Sequence, residues 1–201
     1  GFEPVLLPRS NNDGSVSLAP HNLITSWFWV YGDPPRPVPL RDLQAVWLAG
    51  DAYPDEILDV FDSSGDGQLD QAELIIDSQV KEDLIKARLE SRGLENARIQ
   101  GEIQPYSINH TVTHEEWVIR DCQVCHTEDS RINAAMMLSD RVPGGITPEF
   151  VSDNSVSMNG ELQITETGEL YYQPQSGRAS DRQSAGLYLL GHDYVSWVDR
   201  L

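Results

Sequence analysis

The sequence is poor in basic residues and has no long apolar run. Lysine and arginine together number 14 against 32 aspartates and glutamates, which gives a formal net charge of −18. This deficit of positive charge argues against binding nucleic acid or anionic lipid headgroups, because both depend on cationic side chains that contact phosphates. No apolar stretch approaches the roughly 18 residues of a membrane helix. We therefore predict no membrane span within this chain. Its 201 residues are enough for one large hydrophobic core or two small ones.

Cysteine is also scarce, and both cysteines fall within the five residues Cys122-Gln-Val-Cys125-His126. Covalent attachment of a c-type haem needs this spacing, since two thiols react with the haem vinyl groups and the histidine becomes an axial iron ligand. A disulfide would leave His126 without a role, and a thioredoxin-like pair would need a βαβ pattern. Zinc would need four ligands, for which the available histidines are His110, His114, His126 and His192. We therefore predict one covalent haem c.

The twelve residues from Asp62 to Glu73 read Asp-Ser-Ser-Gly-Asp-Gly-Gln-Leu-Asp-Gln-Ala-Glu and match the calcium loop of an EF-hand. Calcium takes six to eight oxygen ligands, and its charge offsets the repulsion among the crowded carboxylates. A solvated acidic turn is the alternative, but no ligand position of the loop is lost. The predicted calcium ligands are Asp62, Ser64, Asp66, Gln68 through its carbonyl group, Asp70 and Glu73.

A second segment, Asn11-Asn-Asp-Gly-Ser15, is superficially similar to the start of such a loop. It has no glutamate at the closing position, so it predicts a simple turn. EF-hands that act as sensors usually work as one of two coupled hands, whereas this chain has one complete loop. The single loop therefore favours structural bracing over switching.

The longer segment from His110 to Arg131 adds a family resemblance. It reads His110-Thr-Val-Thr-His114-Glu-Glu-Trp-Val-Ile-Arg-Asp-Cys-Gln-Val-Cys-His-Thr-Glu-Asp-Ser-Arg131. The segment resembles haem-binding segments of bacterial multihaem c-type cytochromes and of periplasmic haem domains associated with membrane cytochrome b subunits. The resemblance implies that His110 is the distal haem ligand, and it covers 22 of 201 residues. The chain departs from the multihaem pattern in having one attachment motif, so a haem wire within this chain is not predicted.

Other side chains compete with His110 for the sixth coordination position of the iron. His114 lies on the same segment and His192 lies near the C terminus. A methionine ligand would raise the reduction potential relative to two histidines. The methionines available are Met136, Met137 and Met158. An open sixth position is the remaining alternative.

The distribution of turn residues and apolar patterns predicts an α+β, mainly helical fold in three regions. Residues 1–40 are rich in proline and predict an irregular N-terminal wrap. Residues 41–95 predict an EF-hand helical region, with helices near 42–48, 54–61 and 70–90. Residues 96–201 predict the c-type haem-binding region, with a helix after the haem site, a β-hairpin of strands at 156–164 and 169–172, and a C-terminal helix near 184–198. The EF-hand helix-loop-helix would then pack on a small monohaem cytochrome c domain.

Together these features predict a periplasmic monohaem c-type cytochrome domain for electron transfer, stabilised by one Ca²⁺. Bacterial haem attachment takes place outside the cytoplasmic membrane, where calcium is also abundant, so both motifs favour the periplasm or another extracytoplasmic compartment. We expect a redox partner protein, with a membrane cytochrome b as one candidate, and a membrane anchor in the full-length protein. A haem-based gas or redox sensor, a calcium-responsive sensor and a haem reductase are the alternatives. No set of catalytic acid, base and nucleophile is recognisable, which favours an electron carrier over an enzyme.

Overall fold

The computed structural model of this protein describes residues 5–108, 134–174 and 188–189. Its strands are β1 (Val5–Ser10), β2 (Val16–Tyr31), β3 (Arg36–Pro37), β4 (Arg98–Ser107), β5 (Met136–Ser139), β6 (Glu149–Phe150), β7 (Gly160–Ile164), β8 (Leu170–Pro174) and β9 (Tyr188–Leu189). Its helices are α1 (Leu40–Trp47), α2 (Asp55–Phe61) and α3 (Gln79–Ser91), and Pro143–Gly145 form a 3-10 turn. Strands account for 37% of the described residues and helices for 21%. The expectation of a mainly helical fold is therefore wrong, because the described fold is mainly β.

The N-terminal region is a hairpin and not the irregular wrap that its prolines predicted. β1 pairs antiparallel with β2, from Val5 opposite His21 to Ser10 opposite Val16. The segment between them is the turn that the sequence predicted, with Gly14 at φ +83°. Pro8 lies on β1, which is an outer strand of its sheet, where a residue without an N–H group is tolerated. Proline content alone therefore could not distinguish an edge strand from a loop here.

The strands form two sheets. The larger has six strands in the order β1-β2-β4-β6, and both β3 and β9 pair with β2. The smaller has the order β5-β8-β7, and its β7–β8 hairpin confirms the predicted hairpin, with a turn that contains Gly168 at φ +85°. β7 begins at Gly160, later than expected, while Val156 forms only an isolated bridge with Arg9.

Two helices expected in the haem-binding region are wrong in their described parts. Met136–Ser139 form β5, which pairs antiparallel with β8, although a helix was expected to follow the haem site. Tyr188–Leu189 form β9, which runs parallel to Ser17–Leu18 of β2, although a C-terminal helix was expected there. Both strands obtain their backbone partners from residues distant in sequence, so local helical periodicity gave no sign of them.

The chain divides into two compact units. One comprises Gly1–Thr25, Ile103–Arg141 and Phe150–Leu201, and its buried cluster is Val5, Leu7, Leu23, Ile103, Val156 and Tyr172. The other comprises Ser26–Glu102 and Val142–Glu149 and contains all three helices. Its buried cluster is Trp29, Val38, Val46, Ile57, Phe61, Ile85, Leu89, Leu94, Ala97 and Ile99. Within the described ranges, none of the helices has the length and hydrophobicity of a membrane span.

The helical unit confirms the predicted helices near 42–48 and 54–61, but its third helix begins late. α3 starts at Gln79, whereas the sequence predicted a helix from Asp70. Lys81 Nζ lies 3.1 Å from the backbone carbonyl oxygens of both Glu73 and Ile75. The carbonyl of Ile76 accepts a hydrogen bond from the Gly144 N–H at 3.1 Å. In a continuous helix these carbonyls would accept hydrogen bonds from N–H groups four residues later. In the interrupted segment they accept hydrogen bonds from Lys81 and Gly144.

Candidate metal centre

The 62–73 loop starts from a helix that is anchored in the core of its unit. α2 ends at Phe61, directly before Asp62, and buries Ile57 and Phe61 completely. These two residues are four positions apart, so they lie on the same face of the helix. The Phe61 ring packs edge-on against Trp47, with ring centroids 4.8 Å apart. The first predicted ligand therefore follows a residue whose position is fixed by packing.

Asp62 closes the first half of the loop through its carboxylate. Asp62 Oδ1 accepts hydrogen bonds from the Gly65 N–H at 2.6 Å and the Ser64 hydroxyl at 3.1 Å, and Oδ2 accepts one from the Gly67 N–H at 2.7 Å. The Gly67 N–H is the main reason that the pKa of Asp62 lies below its ordinary value. Gly65 and Gly67 have φ of +74° and +78°, a region that glycine adopts readily. The glycines thus let the backbone turn around one carboxylate.

Glu73 joins the two ends of the loop. Its Oε1 accepts hydrogen bonds from the Ser63 N–H at 3.0 Å, the Ser63 hydroxyl at 3.0 Å and the Ser64 N–H at 2.9 Å. Its Oε2 accepts one from the Asp70 N–H at 3.1 Å. The N–H groups of Asp70 and then Ser64 are the main causes of a pKa below the ordinary value for Glu73. With 8% of its surface exposed, Glu73 is one of the few buried charged residues of the described chain.

The carboxylates of Asp66 and Asp70 also accept hydrogen bonds from the loop itself. Asp66 Oδ1 accepts a hydrogen bond from the Gln68 N–H at 2.8 Å. Asp70 Oδ1 accepts bonds from the N–H groups of Ala72 at 2.8 Å and Glu73 at 2.9 Å. The loop carboxylates therefore bond to backbone N–H groups of their own segment.

The chain matches no protein-family model, no curated protein and no solved structure. The interpretation of the loop therefore rests on its own residues. Its predicted donors are all oxygens, including four carboxylates, which are the ligands that a hard cation such as Ca²⁺ prefers. Among the described residues, however, no three His, Cys, Asp or Glu side chains are grouped closely enough to hold a metal. The donor types and the backbone turn fit calcium, while the carboxylates are directed at backbone N–H groups.

The predicted haem residues lie outside the described part of the chain. This holds for Cys122, Cys125 and His126, and also for His110, His114 and His192. Of the alternative methionine ligands, Met136 and Met158 pack against the buried cluster of their unit, whereas Met137 is 55% exposed. The described residues thus place the methionines but not the attachment motif.

Two residues of the loop's surroundings were missed by the sequence analysis. Ser63 contacts Glu73 through both its N–H and its hydroxyl group, although its loop position is not a ligand position. Lys81 contacts the backbone carbonyls of Glu73 and Ile75, and its only sequence signal was its place within the helix expected near 70–90. Neither contact follows from the spacing of a calcium loop.

Proposed function

We propose that this chain is an extracytoplasmic electron-transfer domain that carries one covalent haem c and is stabilised by one Ca²⁺. The observation that carries the haem part is the Cys122-Gln-Val-Cys125-His126 motif, which contains every cysteine of the chain and a histidine directly after the second one. The observation that carries the calcium part is the oxygen-rich loop closed by Glu73. A bound haem would supply one-electron redox chemistry, and the chain would fix the axial ligands and exclude water.

The described residues on either side of the haem motif support this proposal. The Ile108 N–H donates to the Pro20 carbonyl at 3.1 Å, which fixes the chain just before the segment. After it, Met136 begins β5 and packs against the buried cluster of the same unit. The attachment motif and His110 all lie between these two anchored positions in sequence. Covalent haem attachment through residues of one segment does not require a helical cytochrome c fold, so a mainly β scaffold is compatible with it.

Calcium would act on the helical unit through Glu73. Both oxygens of Glu73 already accept hydrogen bonds from the loop, so coordination requires the carboxylate to exchange some of these bonds for the cation. Loss of these hydrogen bonds offsets part of the free energy of calcium binding. We therefore expect a dissociation constant in the range of extracellular calcium modules, about 10⁻⁴–10⁻³ M. Such a site is filled where calcium is millimolar, in agreement with the proposed extracytoplasmic location. Isothermal titration with Ca²⁺ tests this part, and no binding at millimolar Ca²⁺ would overturn it.

The partner that we propose is a redox protein, with a membrane cytochrome b as the leading class. The net charge of −18 favours a partner that presents a basic docking face, since complementary charge accelerates encounter. Reduction kinetics with basic and acidic redox proteins of matched potential, at low and high ionic strength, test this. Faster reaction with the basic protein that slows as salt rises is expected, and the opposite preference would overturn it.

Absorption spectra of the oxidised and reduced protein, expressed with c-type haem maturation and recorded with and without carbon monoxide, test the haem part. We expect a covalent low-spin haem that is indifferent to carbon monoxide, because the proposed ligands His126 and His110 would leave no open coordination position on the iron. A Cys122→Ser, Cys125→Ser double variant should lose the covalent haem and serves as the control. Absence of haem from the matured wild-type protein would overturn the proposal. Ready binding of carbon monoxide would instead make sensing or catalysis the leading function.

A further inference from the structure

The ammonium group of Lys81 lies near the calcium loop and has three oxygen partners. Its side chain is 12% exposed, and Nζ lies 3.1 Å from Asp77 Oδ1, in addition to the two carbonyl contacts described above. An ammonium group has three N–H donors, so these three acceptors use all of them. The same Nζ lies 5.1 Å from the centroid of the Phe61 ring, within the range of a cation–π interaction.

These contacts connect Lys81 to both ends of the loop. Glu73, whose carbonyl Lys81 contacts, closes the loop. Phe61, whose ring Lys81 also contacts, directly precedes Asp62, the first residue of the loop. Lys81 itself lies in the first turn of α3. From α3, the Lys81 ammonium group thus contacts both the backbone of Glu73, which closes the loop, and Phe61, the last residue of α2. The carboxylate of Glu73 depends on this backbone for its position opposite Ser63 and Ser64.

We propose that Lys81 is a positioning residue of the calcium loop, which fixes the backbone of the closing ligand Glu73 and links the loop to α3. This inference rests on the proposed calcium function. Lys81 does not coordinate the ion, since a lysine ammonium has no acceptor. Its role resembles that of the outer partners that orient metal ligands, whose removal typically lowers metal affinity about 10- to 100-fold.

A competing role for Lys81 predicts the opposite result. If Lys81 acted only as a nearby positive charge, its removal would leave the loop more negative and would strengthen calcium binding. If it served only to stabilise the unit, its removal would lower the melting temperature without changing calcium affinity in the folded protein. Calcium affinity therefore separates the three roles by the direction of the change.

The test is isothermal titration of the full chain with Ca²⁺, comparing wild type, Lys81→Met, Lys81→Arg and Lys86→Met well below their melting temperatures. Lys86 lies on the same helix and supplies a control with the same loss of charge. We expect Lys81→Met to bind Ca²⁺ about 10-fold or more weakly, Lys86→Met to bind within about 2-fold of wild type, and Lys81→Arg to fall between wild type and Lys81→Met. Should Lys81→Met fail to fold, Lys81→Arg decides, because its planar guanidinium cannot reproduce the ammonium contacts.

The outcomes distinguish the two proposals. If the wild type binds Ca²⁺ and Lys81→Met binds it equally or more tightly, the role of Lys81 is overturned and the calcium site stands. Lys81→Arg is read in the same way if Lys81→Met does not fold. No binding by the wild type would overturn the calcium site, and with it the positioning role.

Discussion

Replacement of Glu73 by glutamine tests the loop directly, because both oxygens of the carboxylate accept hydrogen bonds from the loop. Oε1 faces the N–H groups of Ser63 and Ser64, and Oε2 faces the N–H of Asp70. Glutamine has one oxygen and one NH₂ group, so in either orientation its NH₂ would face a backbone N–H donor. The substitution therefore removes the closing charge for Ca²⁺ and also disturbs the hydrogen bonds that join the ends of the loop.

The calcium response of the wild-type protein sets the size of the expected effect. For a dissociation constant of about 0.5 mM, 10 mM Ca²⁺ stabilises the folded state by about 1.8 kcal/mol through mass action. In a chain of this size, 1 kcal/mol shifts the melting temperature by roughly 2–4 °C, so we expect an increase of about 4–7 °C. Glu73→Gln should reduce this increase to below about 1 °C, because the bidentate ligand is lost.

The assay is thermal unfolding followed by circular dichroism, in 10 mM Ca²⁺ and in chelator. Glu166→Gln is the matched control, since Glu166 is an exposed glutamate outside the loop, and it should keep the wild-type response. A melting temperature of the wild type that is the same in both solutions would refute calcium stabilisation. A Glu73→Gln variant that keeps the full increase would refute the role of this carboxylate.

Three further predictions concern acid, packing and a buried tyrosine. Because the pKa values of Asp62 and Glu73 are lowered on folding, their contribution is present above the ordinary values and should be lost as pH falls below roughly 4 in chelator, measured by urea unfolding across pH. Gly160→Ala should lower the free energy of unfolding by roughly 1–3 kcal/mol, since its Cβ would overlap the backbone carbonyl oxygen of Gln173 on β8. A change below about 0.5 kcal/mol would contradict the close packing. Tyr172→Phe should cost about 1 kcal/mol in urea unfolding, because the hydroxyl donates to Asn159 at 2.7 Å. Burial raises the pKa of Tyr172 to about 12, so in the wild type the neutral form stabilises the fold below pH 10 and this contribution should fade as pH rises toward 12, a loss absent from the variant.

Local signals predicted the parts of the fold whose partners are close in sequence. α2 has acidic residues in its first turn and an apolar pair, Ile57 and Phe61, four positions apart, so its place was predictable. The 62–73 loop follows from its own spacing, and the structure gives Asp62, Gly67 and Glu73 the turning and closing contacts that this spacing implies. The β7–β8 hairpin has the glycine turn that its sequence predicted.

The mispredicted parts have two causes, local prolines and distant partners. β1 and β2 contain prolines that suggested loops, although Val5–Ser10 pair with the nearby residues 16–21 of β2. β9 takes its conformation from β2, far away in sequence. The late start of α3 coincides with two hydrogen bonds to carbonyls that precede it, from Lys81 to Glu73 and from the Gly144 N–H to Ile76. Hydrophobic periodicity reports only the spacing of apolar residues within a segment, so contacts with distant residues could not be predicted from it.

The β scaffold also bears on the choice of the sixth haem ligand. Met136 lies on β5 opposite Tyr172, and both Met136 and Met158 pack against the buried cluster that includes Tyr172. Ligation by either methionine would withdraw a partly buried side chain from its contacts with this cluster, which costs packing free energy. Their packing therefore disfavours Met136 and Met158 as the sixth ligand of the proposed haem. The proposed histidine pair, His126 and His110, would give a lower reduction potential than histidine–methionine ligation.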